Sequence, residues 1–166
     1  MSLDPSYDLL RLNNQLCFSL YAATRVLTKA YREKLGELGL TYPQYLVMIV
    51  LWEKDALTLS KIGDLLLLDS GTLTPLVKRL ANAGFVQRHR GVADEREVTV
   101  HLTPAGRQLQ KAAVGVREHI VCRLKMTETE IGHLRTELMR LIETVATDSS
   151  SCAPQTAMPG KRRATK

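Results

Sequence analysis

Three cysteines are the most reactive side chains in these 166 residues: Cys17, Cys122 and Cys152. No two of them form a C-x-x-C pair. The four histidines (His89, His101, His119 and His133) make neither an H-E-x-x-H motif nor a close cluster with a cysteine. A zinc site is therefore not expected, and no cofactor is implied. An odd, widely spaced cysteine set is not a disulfide framework either, so each thiol is weighed alone. A free thiol with a pKa of about 8.5 is only a few per cent thiolate at neutral pH, and thiolate is the nucleophile. One hydrogen bond to a charged group contributes about 1.5–3 kcal/mol, enough to lower a thiol pKa by about one to two units. A reactive cysteine thus needs donors around it. Taken alone, Cys17, between Leu16 and Phe18 and beside Asn13, Asn14 and Gln15, reads as an apolar filler in a helix.

Composition sets the frame for that chemistry. Hydrophobic residues at 45% and charged ones at 24% describe an ordinary soluble domain with a real core. The net charge is +6, but residues 148–166 carry Lys161, Arg162, Arg163 and Lys166 against Asp148 alone. Residues 1–147 keep 19 bases and 16 acids, a net of +3, which argues only weakly for nucleic acid. The N-terminus has neither a basic n-region nor an apolar h-region. The longest apolar run, Tyr45 to Trp52, is far short of a membrane span. A cytoplasmic protein is expected.

The elements that position the thiols follow from periodicity and caps. About Tyr7 to Leu35 should be one long helix, with Leu9, Leu12, Leu16, Leu20, Ala23 and Leu27 as its apolar stripe; Gly36 and Gly39 close it. Thr41-Tyr42-Pro43-Gln44 starts a second helix with Thr as N-cap, Pro in the first turn and Gln as capping-box partner. Tyr45 to Trp52, apolar nearly all round, should be buried. Thr58 to Leu67 forms a short third helix with Leu59, Ile62, Leu65 and Leu66 inward. A fourth, capped by Asp69 or Ser70 and stopped by Gly84, buries Leu73, Leu76, Val77 and Leu80. Pro75 breaks a local rule there. Phe85–His89 and Glu97–Leu102 alternate as strands, joined by the charged turn 90–96, and so predict a β-hairpin. Thr103-Pro104 begins a fifth helix to about Lys125, and the capping box Thr127-Glu128-Thr129-Glu130 a sixth to about Val145. Residues 148–166, rich in Ser, Pro, Ala and bases, are expected to be a disordered basic tail.

Two short helices and a tight turn, followed at once by a basic hairpin, describe a winged helix-turn-helix. The major groove admits one helix, so Ser70, Thr72 and Thr74 are expected as short donors to bases and phosphates, with Lys78 and Arg79 behind them for phosphates. Arg88, Arg90 and Arg96 lie within one hairpin that suits the narrow, electronegative minor groove. The run Asp94-Glu95-Arg96-Glu97-Val98-Thr99-Val100-His101-Leu102-Thr103 resembles the D-x-R-x-x-x-V-x-L-T wing signature of MarR-family regulators, which places Asp94 in the DNA-facing set. Asn14-Gln15-Leu16-Cys17-Phe18, Leu40-Thr41-Tyr42-Pro43-Gln44-Tyr45 and Leu68-Asp69-Ser70-Gly71-Thr72-Leu73-Thr74-Pro75 are similar to the OhrR branch, dimeric repressors that sense organic hydroperoxides.

That resemblance implies a mainly α fold with a β-hairpin wing and one MarR-like domain over residues 1–147. Helices at about 7–35, 104–125 and 127–145 would intertwine in a homodimer, and about 42–103 would be the winged helix-turn-helix. Apolar residues including Ile120, Leu124, Leu134, Leu138, Leu141 and Ile142 are compatible with a dimer layer. A two-fold dimer would read a pseudo-palindrome in double-stranded DNA. The resemblance makes Cys17 the peroxidatic sensor, with Tyr31 and Tyr42 reaching it from the partner subunit; Tyr21 is a weaker candidate. It makes Cys122 a resolving thiol, in an intersubunit disulfide with Cys17, where the residues alone allow a buried apolar cysteine. Cys152 is a bystander in the tail. The competing functions are a MarR-type regulator switched by a non-covalent aromatic or phenolic ligand, a thiol peroxidase and a structural nucleoid protein. The peroxidase lacks a thioredoxin-like βαβ pattern.

Overall fold

In the computed structural model, residues 5–91 and 97–147 are described. They fall into two compact units, Met1–Leu124 and Lys125–Lys166. The order in the first unit is two short 3-10 turns (Pro5–Leu10 and Leu12–Asn14), α1 (Leu16–Glu37), α2 (Tyr42–Glu53), β1 (Leu57–Thr58), α3 (Leu59–Leu66), α4 (Ser70–Asn82), β2 (Val86–Arg90), β3 (Val98–Leu102) and α5 (Pro104–Leu124). The second unit holds α6 (Glu128–Thr147).

The predicted first helix starts nine residues late, at Leu16 rather than Tyr7. Asn13, Asn14 and Gln15 favour side-chain capture of nearby backbone over helix continuation. Asn14 Nδ2 donates to the Asp8 carbonyl, and Gln15 Nε2 donates to the Leu9 and Arg11 carbonyls. The expected stripe is therefore split, and much of it faces solvent: Leu9, Leu12 and Leu16 are exposed.

Where helix starts rest on local caps, sequence and structure agree. Gln44 Oε1 accepts from the Thr41 N–H and hydroxyl at 2.8 and 2.9 Å, with Pro43 in the first turn of α2. Thr58 caps α3, accepting from Lys61 N at 3.2 Å. Thr103 Oγ1 accepts from Gly106 N at 3.0 Å at the start of α5. Thr127 and Glu130 cap α6 reciprocally.

The core lies between α2, α3, α4, the sheet and α5: Val47, Met48, Leu51, Ile62, Leu73, Val77, Leu80, Val86 and Val100 are fully or almost fully buried. Each such side chain contributes about 1.5–3 kcal/mol of transfer free energy. Leu65, expected inward, is 54% exposed. It precedes Leu66 by one position, about 100° round the helix from the Leu59–Ile62–Leu66 stripe. The turn from α3 into α4 passes through Leu67 at φ 54, and Gly84 at φ 79 turns the chain from α4 into β2.

The hairpin is a three-stranded antiparallel sheet in the order β1-β3-β2. Leu57–Thr58 adds a strand that was not expected, with Leu57 opposite Val100 and Thr58 opposite Thr99. In the β2–β3 register Val86 faces Leu102, Arg88 faces Val100 and Arg90 faces Val98.

Candidate nucleic-acid interface and thiol sites

Helix α4 presents the residues expected to face DNA. Asp69 is its N-cap: one carboxylate oxygen accepts from Thr72 N at 2.8 Å and the other from Thr72 Oγ1 at 2.9 Å. These two bonds, the backbone one first, hold the Asp69 carboxyl below its usual range. Of the three hydroxyls expected to face DNA, that of Thr72 is thus bonded within the cap in the free chain. The Thr72 proton is committed to the cap, which leaves its oxygen as an acceptor, while the Asp69 cap does not engage the Ser70 and Thr74 hydroxyls. Lys78, Arg79 and Thr72 are exposed, and Thr74 is half-buried. Pro75 lies exposed within the helix.

The wing contributes Arg88 and Arg90, both exposed and on the same face of β2. Ser70, Thr74 and Arg88 border one cleft of about 540 Å³ together with Ser60, Asp64 and Val98. The structure thus brings the start of α4 and the first wing strand together. Asp94 and Arg96 lie outside the described residues, as do Cys152 and the rest of 148–166.

Both described thiols are exposed and free. Cys17 stands in the first turn of α1, flanked by exposed Leu16 and Phe18, so its default role as a core filler is corrected. Tyr21, one turn on, is engaged by Arg25, whose Nη1 donates to its hydroxyl at 3.0 Å. Tyr31 and Tyr42 do come together, with ring centroids 4.8 Å apart. Tyr45, which sequence reasoning passed over, joins them at 6.0 Å from Tyr31 and continues to Trp52 at 6.1 Å. Its spacing of three from Tyr42 is the signal that was available. Burial, then the neighbouring Tyr42 and Tyr45, pushes the Tyr31 hydroxyl up to about 12, with Arg117 acting against them. Burial also raises Tyr42. Both hydroxyls therefore keep their protons, and remain hydrogen-bond donors, at any pH where a thiolate would need them.

The tyrosine pair and Cys17 of one chain do not meet. Fourteen residues of continuous helix separate Cys17 from Tyr31, about 21 Å along the axis. Cys122 stands in the last turn of α5, where Ile120, Arg123 and Leu124 border a groove with Val26, Leu27, Ala30 and Glu33 of α1. That stretch of α1 begins about 13 Å beyond Cys17, whereas a disulfide needs Cα atoms within about 7 Å. Ile120, assigned above to a dimer layer, is 4% exposed within its own chain. It packs on the inward side of α5 with Ala113 and Val116 at helical spacing. In the second unit Leu134, Met139, Ile142 and Val145 are exposed, and Leu138 and Leu141 half-buried.

No three His, Cys, Asp or Glu side chains converge as a metal site among the described residues. No helix among them is long and apolar enough to cross a membrane.

A helix-turn-helix carrying a three-stranded wing defines a winged-helix transcriptional regulator. Residues 29–113 match the family model described as transcriptional regulator SarA/Rot. The organic hydroperoxide resistance transcriptional regulator of Bacillus subtilis is 42% identical over 143 residues, 86% of this chain and 97% of that one. Among solved structures, reduced AbfR bound to DNA, a Staphylococcus epidermidis protein, superposes with a TM-score of 0.70 at 39% identity, covering 84% of this chain and 97% of that one. Disulfide-formed AbfR gives 0.58 at 41% identity over 82% and 96%. MarR itself shares the fold, with a TM-score of 0.68 at 22% identity over 80% and 91%. The chain belongs to the MarR family of winged-helix regulators. It is a DNA-binding transcriptional regulator, like its relatives, and not an enzyme.

Proposed function

We propose that the protein is a cytoplasmic, homodimeric repressor that senses organic hydroperoxides through Cys17 and releases its operator when that thiol is oxidised. The observation that carries this reading is Cys17 itself: an exposed thiol at the start of α1 in a chain 42% identical to an organic hydroperoxide resistance regulator. The paired Tyr31 and Tyr42 hydroxyls support it, because protonated phenols are the donors a thiolate requires. AbfR, solved both reduced on DNA and with a disulfide formed, is a relative in which the thiol state changes.

In this reading residues 1–147 work as one domain, and α1, α5 and α6 of two chains form the dimer layer. The exposed Leu9, Leu12, Leu16, Phe18, Leu134 and Ile142 are the apolar surface that a second chain would cover. Ser70, Thr72, Thr74, Lys78 and Arg79 enter the major groove, with Arg88, Arg90, Asp94 and Arg96 as the wing's contacts. Thiolate attack on the peroxide O–O bond gives Cys17 sulfenic acid and an alcohol. Cys122 of the partner chain then displaces water from that sulfur to form an intersubunit disulfide. Pulling the two sulfurs together displaces α5 and takes the recognition helices off their half-site spacing.

Operator binding of reduced, peroxide-treated and re-reduced protein, for wild type and Cys17→Ser, tests this. The wild type is expected to lose and regain DNA, and Cys17→Ser to hold DNA throughout. A Cys17→Ser protein that dissociates at the same peroxide dose refutes the assignment. The cleft between α3, α4 and the wing, lined in part by Arg88, favours one second reading: a non-covalent aromatic or phenolic ligand as effector. Release by such a ligand would be indifferent to reductant.

A further inference from the structure

Asp55 stands in the turn between α2 and β1, bonded to neither a thiol nor a residue expected to face DNA, with its side chain 25% exposed. Its Oδ1 accepts from the adjacent Ala56 N–H and from the Leu102 N–H, 47 residues on, both at 2.8 Å. Its Oδ2 meets Arg107 Nη2 at 2.7 Å. The same guanidinium nitrogen reaches the Leu102 carbonyl at 3.4 Å. Leu102, the last residue of β3, is thus held at its N–H by the α2–β1 turn and at its C=O by the first turns of α5. Leu102 pairs with Val86 across the hairpin, so the held residue is the root of the wing. A second tie runs parallel: Trp52 Nε1 donates to the Gly106 carbonyl at 2.9 Å.

We propose that Asp55 and Arg107 form a latch that fixes the root of the wing to the first turns of α5, so that a displacement of α5 is carried into the wing. Without the latch, the bonds left at this joint include that of Trp52 to Gly106 and those of Thr103 Oγ1 to the Gly84 and Phe85 carbonyls. None of them holds the Leu102 peptide to α5, so a helix shift can be taken up in the dihedrals around Thr103. With it, the carboxylate is already oriented by two backbone N–H groups when the guanidinium docks, so the pair loses little further freedom in forming. Arg107 is 58% exposed, so its value lies in direction more than in ion-pair strength. Hydrogen bonds to the carboxylate outweigh its burial and hold Asp55 below the usual carboxylate range. The latch is therefore charged throughout the neutral range. Fixing the wing stands on the geometry alone; transmission rests on the thiol-switch reading above.

The test uses full-length protein with Asp55→Asn, Arg107→Met, the double variant and Arg107→Lys. Asp55→Asn keeps an acceptor for the backbone but loses the charge, and Arg107→Met keeps the aliphatic stem. Hydrogen–deuterium exchange of residues 98–102 is expected to quicken about three- to tenfold in either single variant. The double variant should be no faster than the singles, and Arg107→Lys should restore most of the protection. The ratio of operator affinities in reduced and peroxide-treated protein should shrink in Arg107→Met, an effect that lost packing alone would not produce. Unchanged exchange with unchanged reduced-state affinity, or strictly additive single effects, overturns the latch. An unaltered affinity ratio beside faster exchange overturns the transmission. If the wild type ignores peroxide, the thiol switch fails and so does transmission, while the exchange data still decide whether the wing is latched.

Discussion

Replacing Gly106 by alanine should reverse the sign that helix propensity predicts. Gly106 is the third residue of α5, and alanine inside a helix is favoured over glycine by about 1 kcal/mol. An alanine Cβ there would lie 2.0 Å from the Phe85 carbonyl oxygen and 3.0 Å from its carbonyl carbon. Both are backbone atoms, so no side chain can swing away. The start of α5 must instead back off from the entry to β2. That movement strains the Trp52–Gly106 bond and the bonds from Thr103 Oγ1 to the Gly84 and Phe85 carbonyls, at 2.6 and 3.1 Å. Overpacking costs about 1–3 kcal/mol, and each hydrogen bond lost about 0.5–1.5 kcal/mol. Set against the propensity gain of about 1 kcal/mol, and with all three bonds lost, the net is a destabilisation of about 1.5–6.5 kcal/mol, or roughly 3–25 °C in Tm for a chain of this size. Circular dichroism melting at fixed protomer concentration reads it, since self-association would otherwise move Tm. Gly115, in the same helix with nothing within 4 Å of a Cβ, is the control and should follow propensity upward. A Gly106→Ala protein as stable as wild type would refute the claim that the wing root and α5 touch backbone to backbone.

At the DNA face, Arg88→Ala should weaken operator binding by about 1–3 kcal/mol if it contacts a base edge, and flatten the salt slope by about one if it contacts phosphate; unchanged affinity removes Arg88 from the interface. Thr72→Ser, which keeps the hydroxyl bonded to Asp69, should bind as wild type, whereas Thr72→Ala should lose helix content at the start of α4 by hydrogen exchange. Cys122→Ser should accept oxidation at Cys17 yet show no covalent dimer on non-reducing gels; a dimer band in that variant would point to another resolving thiol. Tyr31, with its folded hydroxyl raised to about 12 from 10.0, stabilises the fold fully below pH 10 and progressively less as pH rises towards 12. Tyr31→Phe should flatten that alkaline decline in a denaturant series, and an equally steep decline would contradict the burial argument.

What was legible in the sequence was mostly local. Thr41 with Gln44, Thr103 with Pro104 and Thr127 with Glu130 mark helix starts because cap and helix lie within one turn of each other. The late start of α1 was hidden because leucines keep helical spacing through Leu9, Leu12 and Leu16 while Asn14 and Gln15 divert the backbone. Strand β1 could not be read, since two residues become a strand only through Val100 and Thr99, about forty positions away. Asp55 was invisible for the same reason: its partners are Leu102 and Arg107. For the candidate site, Cys17, Tyr31 and Tyr42 came from resemblance, and periodicity alone would have sent the thiol to the core. The close approach of Tyr31 and Tyr42 is tertiary, set by the turn from α1 into α2.

The length of α1 gives the reading its most discriminating test. Because about 21 Å of helix separates Cys17 from Tyr31, any hydrogen bond between them must cross from one chain to another. Two crippled chains should then complement each other. One carries Cys17→Ser with its tyrosines intact; the other carries Tyr31→Phe and Tyr42→Phe with its cysteine intact. In their heterodimer, one site receives the good cysteine and the good tyrosines, and the other receives neither. Single-turnover oxidation, followed by a sulfenic-acid probe, should run at the wild-type rate with half the amplitude. The Tyr31→Phe, Tyr42→Phe homodimer should run slower by about eight- to twenty-five-fold, the change in thiolate fraction near neutral pH when a thiol lowered by about one to two units returns to about 8.5. If each cysteine used tyrosines of its own chain, the heterodimer would contain no intact site and would react at the slow rate only. Mixed chains purified by two different tags, oxidised under the same conditions as both homodimers, separate the outcomes. A fast half-amplitude phase places the sensor between subunits, and its absence refutes the tyrosine assignment or the dimer that requires it.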